Sequence, residues 1–371
     1  MRHPQYRRWI MVFAMGALVA GCVTVKSDGD GVSSTTEVPA TSSTVPAPAY
    51  ERPSAPRTVG TGFVVGTSID GTAVYVEQED SAFPQPGCEG QPQPVLFRLP
   101  LDGGRRELLA TPDLPVRGQV VRGPAGRVAV VDGCEGFLSR VLVGTETPDG
   151  HLQDLRQVPI PESGSRPNPL SLSWSRDGAS LLGAQASASG SSRVVRIDPA
   201  TGAVTSLFPV PGVGRIVLRV AELDGGAIAV VGGGRVEVLG ADGRTQSTAE
   251  GNDFTIAPDG RSLLVFGRAI ARLEAGGRAP VPVAGAEAGR EITSAELSPD
   301  GRAVVYVTSA DGGADNRVRL VLLASRQVVE ATGPGQWGRA EFTGDGRAVV
   351  FNQFFPAPRF VPDVVLAGFG T

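Results

Sequence analysis

The sequence predicts an all-β fold, a β-propeller of seven four-stranded blades, although six or eight blades are also compatible with it. A turn built on Asp-Gly recurs between apolar, β-branched runs, most clearly in the segment Leu297–Tyr306, and this pattern is typical of a β-hairpin. The turns return at intervals close to the length of one propeller blade. Glycine and proline are abundant, and no long segment shows helical periodicity.

The first turn of each repeat defines the blades. A second turn follows in most repeats, so each repeat reads as strand, turn, strand, loop, strand, turn, strand. Because a single four-stranded sheet cannot bury both of its faces, the repeats are expected to stack radially. The first turns lie at Asp70-Gly71, Ala125-Gly126, Asp177-Gly178, Asp224-Gly225, Asp259-Gly260, Asp300-Gly301 and Asp345-Gly346.

The last repeat lacks a clear second turn, which leaves a count of six or eight blades open. Whatever the count, the ring must close. Residues near Val59 to Val65 are therefore expected to add a strand to the last blade, near Asp363 to Phe369. Trp174 and Trp337 stand just before Asp-Gly turns. We expect both tryptophans to pack between blades.

Residues 1–21 have the features of a bacterial lipoprotein signal peptide. Three arginines among the first eight residues precede the apolar segment Ile10–Ala20, which is short for a membrane span. The end of the segment, Leu-Val-Ala-Gly-Cys, resembles the lipobox of bacterial lipoproteins. This resemblance implies that Cys22 carries a diacylglycerol, with palmitate among its acyl chains, and becomes the first mature residue. An ordinary secretory signal is the alternative.

Residues 22–57 are predicted to form a disordered tether, and residues 58–371 the propeller. Serine, threonine and proline dominate the first of these ranges. Such a composition cannot bury enough apolar surface to offset the entropy of ordering. As a flexible coil, the tether would span on the order of 33 Å.

Cys88 and Cys134 are predicted to form a disulfide bond. Each lies in the tetrapeptide Gly-Cys-Glu-Gly, after the second predicted strand of its repeat. Equivalent loops of neighbouring blades lie side by side, and an extracytoplasmic compartment favours oxidation. Two free thiols are the alternative, and the lack of a Cys-x-x-Cys pair or a histidine partner disfavours a metal site.

The repeats resemble the WD40-like repeats of TolB-type β-propellers. The turn Ser298–Gly301, the loop Thr308–Asn316 and the strand Val318–Leu320 carry this resemblance, which extends over Val59 to Thr371. It implies the fold and says little about function. TolB-type proteins have an α/β domain before the propeller, whereas this chain has only the predicted tether. Extracellular propeller lipoproteins, often accessory or scaffolding components of the cell envelope, are the better comparison.

Three glutamates are candidate channel or ligand carboxylates. Glu222, Glu296 and Glu341 each precede an Asp-Gly turn by a few residues. On inner strands they would line the central channel, as the acids of propeller glycosidases and lactonases do. Polarity at a blade edge is the alternative interpretation. His151, the one histidine beyond residue 22, lies in a predicted turn and is interpreted as surface.

No catalytic residue, metal or cofactor is predicted. Calcium at the loop Asp311–Asn316 is a minor alternative, because its spacing does not match the twelve-residue calcium loop. The net charge is −4, and the absence of a basic patch disfavours nucleic-acid binding.

The sequence therefore predicts a monomeric propeller that a lipid on Cys22 holds at the outer side of a bacterial membrane. Its expected role is to bind a cell-envelope protein or a glycan as a binding or scaffolding module. The alternative is a propeller enzyme, of the lactonase or glycan hydrolase type, that uses channel carboxylates or a bound cation.

Overall fold

The computed structural model describes residues 48–79, 94–109, 119–134, 137–160, 172–186, 192–210, 217–277, 279–285, 289–310, 315–355 and 361–370. Within these ranges, 29 strands form seven antiparallel sheets arranged as the blades of a propeller. The predicted fold and the count of seven blades are confirmed. Helical structure in these ranges is limited to one 3₁₀ turn, Pro124–Gly126.

Blades 1 to 6 use their strands in chain order from the channel outward, and in blade 7 the N-terminal strands lie outside the last strand of the chain. Before blade 1 come β1 (Ala49–Pro53) and β2 (Arg57–Thr61). Blades 1 to 3 contain β3 (Phe63–Thr67), β4 (Ala73–Glu79), β5 (Pro94–Pro100) and β6 (Glu107–Leu108); β7 (Gln119–Arg122), β8 (Arg127–Cys134), β9 (Phe137–Glu146) and β10 (Leu152–Gln157); β11 (Ser173–Trp174), β12 (Leu181–Ala186), β13 (Ser192–Ile197) and β14 (Val204–Val210). Blades 4 to 7 contain β15 (Arg219–Glu222), β16 (Ile228–Gly232), β17 (Arg235–Leu239) and β18 (Thr245–Glu250); β19 (Asp253–Ile256), β20 (Ser262–Phe266), β21 (Ala269–Glu274) and β22 (Val281–Gly285); β23 (Arg290–Leu297), β24 (Ala303–Ala310), β25 (Arg317–Leu322) and β26 (Val328–Glu330); β27 (Trp337–Phe342), β28 (Ala348–Gln353) and β29 (Asp363–Gly370).

The seven predicted turns join the first strand of each blade to the second. In blade 6, the Ser298 hydroxyl donates to the Asp300 carboxylate at 2.6 Å, and the Ala303 N–H donates to the Ser298 hydroxyl at 2.9 Å. Asp300 also accepts the Arg302 N–H at 3.1 Å, and Gly301 has a φ of +69°. The aspartates therefore cap turns, as the sequence indicates. Ser68, Ser175 and Thr343 hold the same position in blades 1, 3 and 7.

Seven buried apolar clusters lie among the described residues, one between each pair of neighbouring blades. Strand β24 shows how one strand serves two of them. Val304 and Tyr306 face blade 5, whereas Val305 and Val307 face blade 7. Side chains alternate between the two faces of a strand, and both faces are covered, so the run is apolar throughout.

Both tryptophans pack against apolar clusters that lie between blades, as expected. Trp174 is 4% exposed within the cluster between blades 2 and 3, and its indole N–H donates to the Val121 carbonyl at 3.2 Å. Trp337 is partly buried, and its ring stands edge-on to Phe351 at 5.4 Å.

An N-terminal strand closes the ring, as the sequence predicts. Strand β2 pairs with β29, with Arg57 opposite Leu366 and Thr61 opposite Asp363. The pairing segment is earlier than the expected Val59 to Val65, because Gly62, with a φ of +135°, separates β2 from the inner strand β3. The N-terminal segment also explains why the last repeat has no second turn, since its fourth strand comes from the other end of the chain.

The ordered blade begins before the predicted boundary at residue 57. Strand β1 pairs Ala49 with Gly370, and Tyr50 is 2% exposed. The tyrosine ring stands edge-on to Phe342 at 5.6 Å and to Phe369 at 5.0 Å. Average composition conceals this single aromatic anchor at the end of a Ser/Thr/Pro-rich segment. The rest of the predicted tether, the signal peptide and Cys22 lie outside the described residues.

We expect Tyr50→Ala to destabilise the propeller by about 3–5 kcal/mol, because it removes a buried ring that joins β1 to blade 7. Tyr50→Phe keeps this ring and serves as the control, with a much smaller expected loss. Urea unfolding of both variants measures the difference. Equal losses would show that the ring contacts of Tyr50 do not hold β1 in place.

The turn glycines give a second prediction. Gly301 and Gly225 both have a left-handed φ, which is unfavourable for alanine. At Gly301 an added Cβ would also collide with the Pro258 ring, whereas the space around Gly225 is open. We expect Gly225→Ala to lose about 1–2 kcal/mol and Gly301→Ala to lose more. Thermal unfolding compares them, and a smaller loss for Gly301→Ala would contradict the packing described for blades 5 and 6.

Candidate functional site

Charged side chains on the inner strands form a buried group around the channel axis. We name this group the channel charges. Asp253, Glu296 and Glu341 are 8%, 6% and 2% exposed, respectively. Such burial of charged groups is costly unless partners compensate it, so the partners of each side chain decide what the group can do. Its members are Arg122, Arg219, Asp253, Glu296, Arg339 and Glu341.

The structure brings two of the three predicted carboxylates together. Glu296 lies on β23 and Glu341 on β27, the inner strands of blades 6 and 7. Glu296 accepts the backbone N–H of Phe342 at 2.8 Å, and Phe342 is the residue next to Glu341. Burial raises the pKa of Glu296 well above its usual value, and the charge of Glu341 raises it further. Arg339 forms an ion pair with Glu341.

The third predicted carboxylate, Glu222, bonds blade 4 to blade 3. Its carboxylate accepts the Arg196 guanidinium at 2.9 Å and the Arg176 backbone N–H at 3.0 Å. Both bonds cross the seam between two blades. In this position Glu222 acts as a structural link between the two blades.

The arginines of the channel were not identified from the sequence. Arg122 binds the buried Glu146 through two hydrogen bonds, of 2.7 and 3.1 Å. Arg219 binds Asp253 at 3.2 Å, and burial raises the pKa of that aspartate although Arg219 lowers it. A charged residue within an otherwise apolar first strand, shortly before an Asp-Gly turn, is the signal that could have found them.

The other residues considered from the sequence are His151, the loop Asp311–Asn316 and the two cysteines, and none of those described belongs to the channel charges. His151 lies 3.3 Å from Asp149 and 3.5 Å from Glu107, with nearly half of its side chain exposed, in agreement with a surface turn. Of the predicted calcium loop, residues 311–314 lie outside the described ranges, and Asp315 pairs with Arg290 and Arg317. Cys88 and the side chain of Cys134 also lie outside them, so the disulfide stays a prediction.

Within the described ranges, no three or more histidine, cysteine, aspartate or glutamate side chains are grouped so that they could hold a metal ion. The same ranges contain no helix with the length and apolar character needed to cross a membrane.

The two faces of the ring differ. We name the face with the Asp-Gly turns the turn face, and the opposite one, where the inner strands begin, the loop face. Among the described residues, the first strands of the blades begin at the loop face and the second strands end there. Phe63 and Phe354 form an exposed ring pair there, with centroids 6.1 Å apart. Because β1 runs antiparallel to β29, the chain joins the ring at the turn face.

Replacement of one channel arginine tests whether the channel charges hold the ring together. Arg122→Met leaves Glu146, whose side chain is fully buried, without its cation. We expect a loss of about 3–5 kcal/mol, and Arg122→Met with Glu146→Leu should recover much of it. Arg244→Met is the control, because Arg244 and Asp242 pair at the exposed surface. Denaturant unfolding compares the wild type, Arg122→Met, Glu146→Leu, the double variant and the control Arg244→Met. Additive losses in the double variant would contradict the pairing.

Comparison with known proteins shows the fold. No protein-family model and no curated protein matches the chain. Among solved structures, it is similar to an oligogalacturonate lyase in complex with manganese, with 12% identity, a TM-score of 0.56 and coverage of 84% of this chain and 90% of the lyase. It is also similar to the WD40 repeats of RRP9, with 14% identity, a TM-score of 0.53 and coverage of 86% and 99%. The narrower likeness to TolB-type repeats stays a prediction. The chain is a seven-bladed, WD40-like β-propeller.

Proposed function

We propose that this propeller is a lipid-anchored, extracytoplasmic module that binds or scaffolds components of the bacterial cell envelope. In this proposal Cys22 carries the lipid, and the residues up to Ala47 connect it to the ring. The partner is an envelope protein or a glycan, and the propeller acts as a monomer. The lipobox-like sequence supports the anchor, and the confirmed fold supports a binding role.

The direction of the N-terminal strand carries the proposal. The chain joins the ring at the turn face, beside the C-terminal residue of β29. A membrane anchor upstream would therefore hold the turn face toward the membrane and leave the loop face directed outward. The loop face contains the exposed pair Phe63 and Phe354. Loops on a rigid scaffold and exposed aromatic side chains are common features of binding surfaces.

The bonds of two of the three predicted carboxylates favour binding over catalysis. Glu222 is held by blade 3, and Glu341 is held by Arg339. A hydrolase that used paired carboxylates would need both groups directed at a substrate. One observation favours the enzymatic alternative, because the raised pKa of Glu296 is also what a general acid requires. Turnover of lactones or oligosaccharides that Glu296→Gln abolishes would support that alternative.

The anchor is tested in cells that are fed an alkyne-bearing fatty acid. We expect the wild-type protein to become labelled and to sediment with membranes. Cys22→Ser should lose the label and leave the membrane fraction. Equal labelling of the two proteins, or membrane association without label, would contradict lipidation at this residue.

The binding face is tested with a photo-cross-linking amino acid at Phe63 or at Ile69. Phe63 is the first residue of the inner strand β3, at the loop face, and Ile69 follows β3 at the turn face. Their side chains are similarly exposed, at 40% and 43%. We expect Phe63 to cross-link a specific envelope component in intact cells, and the anchored form to do so far better than Cys22→Ser. Cross-linking from Ile69 alone would reverse the assignment of the faces.

A further inference from the structure

One buried carboxylate at the channel, that of Glu296, has no ion-pair partner among the described residues. Each channel arginine binds one carboxylate, in the pairs Arg122–Glu146, Arg219–Asp253 and Arg339–Glu341. Glu296 makes no ion pair within the described part of the chain. Its one hydrogen bond there is the 2.8 Å bond from the Phe342 N–H. Counted together with Glu146, which binds Arg122, the described residues supply four buried carboxylates and three arginines, and Glu296 is the carboxylate without an ion pair.

The surplus carboxylate lies at a seam between blades. Strands β23 and β27 are the inner strands of blades 6 and 7, and the bond from Phe342 to Glu296 crosses between them. Glu341 is the neighbour of Phe342 on the same strand, and its carboxylate is buried, with Arg339 as its ion-pair partner. Two negative charges at this seam would oppose the contact between the blades.

We propose that Glu296 and Glu341 form a proton-binding site in which Glu296 holds one proton, so that the seam between blades 6 and 7 is sensitive to pH. The proton comes from solvent, and its binding removes the surplus negative charge. Blade 7 is also the blade that the N-terminal strands complete. The site therefore connects external pH to the closure of the ring.

The surrounding charges agree with this assignment. Burial is the main cause that raises the pKa of Glu296, and the charge of Glu341 is the second. The Phe342 N–H, Arg339 on β27 and Arg122 on β7 act in the opposite direction. Arg122 is already bound to Glu146, and Arg339 to Glu341. These arginines therefore neutralise Glu296 only in part.

The sign of the pH effect follows from the raised pKa. The folded chain keeps a proton on Glu296 at pH values at which the unfolded chain has lost it. The stability from this proton is complete below about pH 4.5 and is lost as the pH rises through the raised pKa. The turn aspartates act oppositely, because the Ser175 hydroxyl and the Ala179 N–H lower the pKa of Asp177. The stability that Asp177 contributes is therefore lost only as the pH falls below the ordinary pKa of an aspartate.

The test compares thermal unfolding of the wild type and Glu296→Gln at about pH 5 and about pH 8. Glutamine stays neutral and can still accept the Phe342 N–H through its amide oxygen. We expect the midpoint of the wild type to fall by roughly 2–4 °C more than that of Glu296→Gln over this range. Exchange of the Phe342 amide, corrected for its intrinsic pH dependence, should rise over the same range in the wild type alone.

Glu222→Gln is the matched control, because Glu222 also lies on an inner strand but is paired with Arg196. It should lower the midpoint at both pH values and leave the difference between them unchanged. If Glu296→Gln folds poorly, infrared spectroscopy of the wild type near neutral pH should still show a protonated carboxyl band. Equal pH responses of wild type and Glu296→Gln would overturn the proposal. Stabilisation of the wild type by Ca²⁺ or Mn²⁺, reversed by a chelator and absent in Glu296→Gln, would also overturn it in favour of a cation site.

Discussion

The rest of the structure depends on the fact that every blade has two apolar faces. Each sheet buries one face against the blade before it and the other against the blade after it. This requirement is satisfied at all seven seams only if the ring closes. Closure in turn requires a strand from the other end of the chain, and β1 and β2 supply it. The N-terminal segment is thus part of the propeller as well as its connection to residues upstream.

The polar interior follows from the same geometry. Inner strands converge on the axis, where backbone and side-chain polar groups from several blades come close together. The chain compensates these groups with arginine–carboxylate pairs and with the side chain of Asn352, which bridges blades 7 and 1 through the Gly62 carbonyl and the Val64 N–H. Removal of one partner from a buried pair of this kind leaves an uncompensated charge, whereas replacement of both partners by apolar residues is often neutral for stability. Glu296 differs from these pairs because it has no ion-pair partner among the described residues, and in our proposal it binds a proton instead.

The sequence is informative where a pattern repeats and silent where it does not. The Asp-Gly turns predict the blades because the turn requires a left-handed glycine and a capping aspartate at fixed positions, as at Asp300 and Gly301. The closing strand was predicted because a propeller ring must close, but Tyr50 was not predicted, because its role depends on Phe342 and Phe369 far along the chain. Two channel glutamates were predicted to line the axis, whereas their arginine partners come from separate blades and no local pattern pairs them.

The most direct test of this account is hydrogen exchange along β1 and β2 in the full-length protein. If these strands close the ring, the amides of Arg57 to Thr61 that pair with β29 should exchange about as slowly as those of β28, which pairs with β29 on its other side. Rapid exchange in residues 49–61, with the blades still protected, would mean that the ring is open at blade 7. Neither the orientation of the turn face toward the membrane nor the link between the seam of blades 6 and 7 and ring closure would then hold.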